Sequence, residues 1–239
     1  MSDDGGPFEH MSWRVRRTLR DGKEVVLRPI EPTDRDELLR AFRTLSPETR
    51  YRRFFSAVTE PSEATLRYLT EVDQKDHVAI VASLESLDLK SERGVGVARF
   101  VRVPGEPDVA EAAVTVVDDM QRNGLGTLLL AELARAAWCR GIRKFRGEVL
   151  GTNEPMRQIL ESVGATLVRE VPDDPPSGAE LLEEELAKKA GSDPDVTYRF
   201  EVALQGEDSE PTIRALVRAA ALSMAEAVRS FIGLEQAPD

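Results

Sequence analysis

The segment Glu111-Ala-Ala-Val-Thr-Val-Val-Asp-Asp-Met-Gln-Arg-Asn-Gly-Leu-Gly-Thr127 constrains this chain more than any other. An apolar, β-branched run enters an acidic turn, then a loop with glycines at 124 and 126, then a helical pattern carried by Leu125, Leu128, Leu129, Leu133 and Ala136. A strand fed through a glycine loop into a helix start aims several unpaired backbone N–H groups at one point, and the helix dipole adds partial positive charge there. Such a point suits a phosphate. Two common phosphate loops are excluded by the residues present. No Lys-Ser or Lys-Thr follows Gly126 as a Walker A loop requires, and Leu129 stands where the third glycine of Gly-x-Gly-x-x-Gly would be.

The rest of the chain narrows the class. With 41% apolar and 31% charged residues in 239, it reads as a soluble globular protein with one good-sized core, and no apolar run is long enough to span a membrane. The first ten residues lack the basic and apolar regions of a secretory signal, so a cytoplasmic location is expected. A net charge of −11 disfavours nucleic acid as a partner. The single cysteine, Cys139, beside Trp138, reads as a packing residue, and His10 and His77 have no ligand spacing, so no metal is expected. The basic stretch at residues 14–20 reads as a solvated face.

Strand and helix signals alternate from residue 24 onward. Residues 24–30 read as a strand ending near Pro29, after which Thr33 or Asp34 can cap a helix over 36–42. Ser46 before Pro47 marks a second helix start, and Ser62 caps a third over 63–72. Strands follow at 77–83, 94–103 and through Glu111, then the loop and its helix, a strand at 144–150, a helix at 153–163 and strands at 165–170 and 196–204. This order describes an α/β (α+β) fold. Arg50, Arg52 and Arg53 interleave with Phe54 and Phe55, a pattern that buries the rings and leaves the arginines solvated or ion-paired. Arg99 and Asp73 receive no role from the sequence.

Gln121-x-x-Gly124-x-Gly126 after a strand and an acidic turn resembles the pyrophosphate loop of the GNAT superfamily of acyl-CoA-dependent N-acyltransferases. Over about residues 23–170 the likeness sharpens. The run Ser46-Pro-Glu-Thr-Arg-Tyr-Arg-Arg-Phe-Phe55, with Val26-Leu-Arg-Pro-Ile30, Gly96-Val-Ala-Arg99 and Glu148-Val-Leu-x-x-Asn153-x-x-Met156, is similar to the acetyltransferase domain of bacterial protein lysine acetyltransferases. The resemblance implies a mixed central sheet whose central strands splay apart, flanked by helices, with acetyl-CoA as co-substrate. It also implies an amine acceptor, a protein lysine before others, attacking directly in a ternary complex. In that branch the domain is often fused to a synthetase-like or cyclic-nucleotide-binding region, and this chain has length for neither.

Physical reading of the same residues assigns roles. Amides of Arg122, Asn123, Gly124, Leu125, Gly126 and Thr127 suit a pyrophosphate, and the Gln121 and Arg122 side chains offer further donors. An exposed edge from Val114 to Val117 can pair with the pseudo-peptide arm of the cofactor, and the resemblance implies a gap beside it where an N–H near Val116 polarises the thioester carbonyl. A lysine, with a reference pKa of about 10.4, needs a base. Glu111 sits where the family places a glutamate base, on an apolar strand expected to raise its pKa, although a solvated strand-end glutamate is the plain alternative. Asn153 suits either cofactor contact or a helix cap. The tyrosine that many relatives use as general acid is replaced by Leu160, so a non-catalytic acyl-CoA-binding module and a small-molecule amine acetyltransferase stand as alternatives.

The organisation expected is an N-terminal extension at 1–22, the GNAT domain at 23–204 with an acidic insertion at 171–195, and a linker with an amphipathic C-terminal helix at 205–239. In that helix Ile213, Val217, Ala220, Met224, Ala227 and Phe231 form one apolar seam. The seam packs on its own domain or on a second copy, so monomer and homodimer both remain open.

Overall fold

The computed structural model describes residues 13–54, 60–85, 92–169 and 196–204. The acidic insertion and the C-terminal seam lie outside the described residues. Eight strands form one sheet: β1 (Val15–Thr18), β2 (Glu24–Pro29), β3 (His77–Glu85), β4 (Glu92–Arg102), β5 (Val109–Val116), β6 (Lys144–Leu150), β7 (Thr166–Arg169) and β8 (Thr197–Ala203). Their order is β1-β2-β3-β4-β5-β6-β8-β7, and every neighbouring pair is antiparallel except β5 with β6. Five α-helices accompany them: α1 (Arg35–Thr44), α2 (Pro47–Phe54), α3 (Glu63–Thr70), α4 (Leu125–Cys139) and α5 (Glu154–Ser162).

Local chemistry explains most boundaries. The Ser62 side chain accepts the Thr65 N–H at the start of α3, and Ser46 does the same for Thr49 in α2. Asp34 departs from expectation. Its carboxylate accepts the Glu31 N–H at 2.8 Å and two bonds from Arg28, so it closes a turn ahead of α1 and makes no side-chain cap. The strand β1 was not foreseen. Val15–Thr18, placed by the sequence in an extension ahead of the domain, pairs with β2 along its whole length, and Arg17 reaches Glu132 on α4 at 3.0 Å. Asp73, unassigned from sequence, accepts the N–H groups of Lys75, Asp76 and His77 and shapes the entry to β3.

The two sheet faces carry different layers. The helix α4 is buried along most of its length, with Leu125, Leu129, Leu133, Ala134 and Ala137 inaccessible, because it is the crossover required between the parallel strands β5 and β6. Where Gly96 of β4 lacks a side chain, Leu125 and Leu129 of α4 fill the space. On the opposite face Gly94 meets Glu37 of α1, whose carboxylate accepts the Gly94 N–H at 2.6 Å. Among the described residues no helix is long and apolar enough to cross a membrane. Cys139 is exposed at the end of α4 and does not pack as its apolar surroundings suggested.

The last strand, β8, runs between β6 and β7 and pairs with all seven residues of β6. Gly147 of β6 is fixed by this packing. A Cβ there would stand 2.7 Å from Phe200 Cζ and 3.1 Å from the Ala112 carbonyl oxygen. Gly147→Val is therefore expected to cost about 1–3 kcal/mol through overpacking, read as a fall in Tm of several degrees by calorimetry.

Candidate functional site

The site begins where two strands part. β5 and β6 are in parallel register only at Val109 with Lys144, Ala110 with Phe145 and Glu111 with Arg146; beyond Glu111 the ladder stops. The Val117 N–H donates to the Val95 carbonyl of β4 at 3.1 Å. Alternation along an antiparallel ladder then turns the N–H and C=O groups of Val114 and Val116 the other way, into the gap. A cavity of about 940 Å³ occupies it.

Side-chain alternation gives this cavity two unlike walls. On the α4 side it is apolar, built from Ala112, Val114, Phe145, Met156, Ile159 and Leu160. On the side of α1, α2 and α3 it is polar, with Glu111, Arg53, Tyr68, Arg99, Glu148 and Arg199. Glu111 is exposed there, at the last register pair before the strands part. Its register partner Arg146 is engaged with Glu106 and Glu201, and among the described residues the Glu111 carboxylate has no ion-pair partner. Leu160 is buried in the apolar wall. Tyr68, remote in sequence, reaches the same cavity from α3, its ring 4.9 Å from that of His77.

The glycine loop lies past the open end of β5. Arg122 and Gly124 adopt left-handed backbone angles, φ 61° and 89°, which for a non-glycine residue such as Arg122 is a strained conformation. They turn the chain into α4, whose first N–H groups have no partner in their own helix. Among the described residues the amides of Gly124, Gly126 and Thr127 donate to no protein acceptor, whereas that of Leu125 goes to Asn123 Oδ1 at 3.2 Å. The nearest atom to a Cβ on Gly126 would be Val116 Cγ2 at 3.8 Å, an ordinary contact, so protein packing does not demand glycine here. The bare backbone is left open to a ligand.

Several residues singled out from the sequence hold the frame instead of facing the gap. Gln121 Nε2 donates to the Val116 carbonyl at 3.1 Å and to Thr49 Oγ1 at 3.2 Å, so it braces the strand end against α2. Val117 is buried with its amide committed to β4. Asn123 is buried and Asn153 caps α5, accepting the Met156 N–H at 3.4 Å.

Asp118 had no role in the sequence reading beyond an acidic turn. Its carboxylate accepts Ser46 N–H and Oγ–H at 2.8 Å each and Thr49 Oγ1–H at 2.7 Å, tying the start of α2 to the loop. The Ser-Pro-Glu-Thr run thus has a physical purpose, since one serine and one threonine cap a helix and dock it on the loop acid. Of the arginines in that run, Arg52 is ion-paired to Glu48 as the pattern suggested and also binds the Thr152 carbonyl. Arg53 departs from expectation: it lines the cavity, and burial pushes its guanidinium below its ordinary pKa. No local pattern marks the long-range contacts, because each joins elements far apart in sequence. Among the described residues no cluster of three or more His, Cys, Asp or Glu stands together.

A sheet opened between parallel central strands, with a glycine loop and helix start at the mouth, defines a GNAT-type acyltransferase fold. The family description "Acetyltransferase (GNAT) domain" matches residues 24–166, and the chain belongs to that family. It is 40% identical over 152 residues to the acetyltransferase Pat of Mycolicibacterium smegmatis, covering 64% of this chain and 44% of that one. The chain thus spans less than half the length of Pat. An acetyltransferase of Pseudomonas aeruginosa is 34% identical over 158 residues, 66% of this chain and 82% of the relative. Among solved structures, the GNAT domain of S. lividans PAT superposes with a TM-score of 0.63 at 26% identity, covering 80% of this chain and 97% of that domain.

Burial raises the Asp118 pKa, but hydrogen bonds from Ser46 and Thr49 outweigh it and hold the carboxylate below its ordinary 3.8. A depressed folded value stabilises above the unfolded pKa and is lost as pH falls through the folded one. Asp118→Asn is expected to lower Tm at pH 7, with the gap to wild type closing below about pH 3.8 in calorimetric scans.

Proposed function

We propose that this chain transfers an acetyl group from acetyl-CoA to a primary amine, the side chain of a protein lysine, by direct attack in a ternary complex. The observation that carries the reading is the edge of β5 over Val114 to Val116, unpaired by β6, which faces the large cavity with Glu111 toward its closed end and unpartnered loop amides at its open end.

Each part suits one portion of the donor. The N–H groups of Gly124, Gly126 and Thr127, at the positive end of α4, take the pyrophosphate. The pantetheine arm lies along β5 as an added strand, exchanging hydrogen bonds with the edge groups of Val114. The Val116 carbonyl is already held by Gln121, which leaves its N–H to point at the thioester oxygen and stabilise the charge that gathers there during attack. Asn123, Leu125 and Val117 keep this geometry from behind.

The polar wall receives the amine. A lysine arrives protonated at neutral pH, and Glu111 takes a proton before nitrogen bonds to the carbonyl carbon. The attached nitrogen then sheds its second proton to water, the carbon–sulfur bond breaks and the thiolate leaves; with a thiol pKa of about 8.5 it departs without the acid that Leu160 cannot supply. The resemblance of residues 46–55 to bacterial protein lysine acetyltransferases supports a protein acceptor over a small amine.

Glu111→Gln is expected to lower kcat by about 10²- to 10⁴-fold while leaving CoA affinity within about twofold, measured by thiol release and calorimetry. No thiol release from wild type with any lysine protein or small amine, despite tight CoA binding, would overturn the transferase reading. Gly126→Asp separates ligand from fold. An acid in the first turn of α4 favours the helix, so Tm holds or rises, while repulsion of the pyrophosphate weakens CoA binding by about tenfold or more.

A further inference from the structure

The polar wall holds a charge that the acetyl transfer does not use. Arg99 is 6% exposed, yet it lines the cavity. Its guanidinium donates to His77 Nε2 at 3.1 Å and to the Leu69 carbonyl at 3.2 Å. Neither acceptor carries a negative charge, since burial and the Arg99 charge push His77 down to about 4 and keep it neutral. Among the described residues no carboxylate stands within the 4.0 Å of an ion pair with Arg99. A second cation is close: burial, followed by the Arg53 charge, lowers Arg99 to about 10. Arg53 and Arg99 both line the wall between this cavity and a smaller one of about 200 Å³ beneath α1.

Burying one guanidinium without a counter-charge is costly, and setting a second beside it adds repulsion. A bound anion would relieve both terms, and the planar fork of arginine matches a carboxylate. Register fixes where the anion would lie. Val101 pairs with Glu111 and Arg99 with Ala113, so Arg99 and Glu111 are diagonal neighbours on one face, a relation that separates the residues by about 7–8 Å and their Cβ atoms by somewhat less. The methylene stem of a lysine spans a distance of that order. The cation also lies on the wall with the base and away from the apolar α4 side, which favours the acceptor over the acyl group as the source of the anion.

We propose that Arg99, with Arg53 beside it, receives a carboxylate that the acceptor carries next to its reactive amine. This rests on the transferase reading and narrows its substrate class to amines with an adjacent acid, either a free α-carboxylate or an acidic side chain beside a lysine.

The test uses the 239-residue chain loaded with CoA, so that no turnover is needed. Nε-acetyl-lysine and Nε-acetyl-lysinamide are titrated calorimetrically, and in a second arm peptides holding acetyl-lysine beside Glu or beside Gln. In at least one arm the acid form is expected to bind about 10- to 100-fold more tightly in wild type, and the ratio to fall to about one in Arg99→Gln and in Arg53→Gln. The arm that responds identifies the source of the carboxylate. A residue that merely braces α3 would change Tm and leave the ratio alone; should Arg99→Gln fail to fold, Arg53→Gln and Arg99→Lys read the same ratio. Equal binding within both pairs in wild type overturns the proposal, as does a ratio that survives in the folded variants. A preference for succinyl-CoA over butyryl-CoA with no acceptor ratio also overturns it. Turnover of lysine proteins without any ratio would remove this inference and leave the transferase standing, whereas a ratio without turnover would do the reverse.

Discussion

Everything distinctive about this molecule depends on a ladder of hydrogen bonds that stops early. Strands inside a sheet pair along their length because each unpaired backbone group costs free energy when shielded from water. Here β5 and β6 keep three register pairs and then diverge, so one edge of β5 is left with donors and acceptors facing a cavity. Holding that gap open requires other contacts. β4 secures β5 on one side, and β8 secures β6 along its whole length on the other. Gly147, wedged against Phe200 and the Ala112 carbonyl, lets the halves sit close at the point of parting. Glu111 and the glycine loop owe their positions to the two ends of the same unpaired edge.

The loop is steadied from the side by chemistry that a motif search registers only as a string. Asp118 collects three hydrogen bonds from Ser46 and Thr49, and Gln121 links Thr49 to the carbonyl of Val116. Helix α2, the loop and the end of β5 are therefore tied together by side-chain hydrogen bonds. The strained backbone of Arg122 and the open space around Gly126 lie within this braced frame, where the backbone is bare.

Much of the fold is legible in the sequence, because caps and periodicity are local. Ser46, Ser62 and Asn153 each cap the helix that their position announces. The failures share a cause. β1 has one apolar residue among four and gains its place from pairing, and Asp34 is drawn from capping by Arg28. In the site, the glycine loop is marked by its spacing, and Glu111, taken from the family resemblance, lines the cavity. Arg53, Arg99 and Tyr68 carry no such mark, since they come from three different elements and meet only across the folded cleft. Gln121 was found for the wrong reason: its position matters, but its amide holds protein atoms.

The place of β8 carries a consequence for how the chain is made. Ribosomal synthesis delivers β1 to β5 with α4 long before residues 197–203 emerge, and those strands already have their neighbours. β6 at that stage has only its short ladder to β5, and β7 has no partner in the described sheet until β8 arrives to lie between them. The half of the protein that presents the glycine loop can thus take shape during translation, while the wall opposite, with Glu148, Arg199 and Glu201, is among the last parts to assemble. A nascent or truncated chain would own the β5 side of the cleft and lack the other.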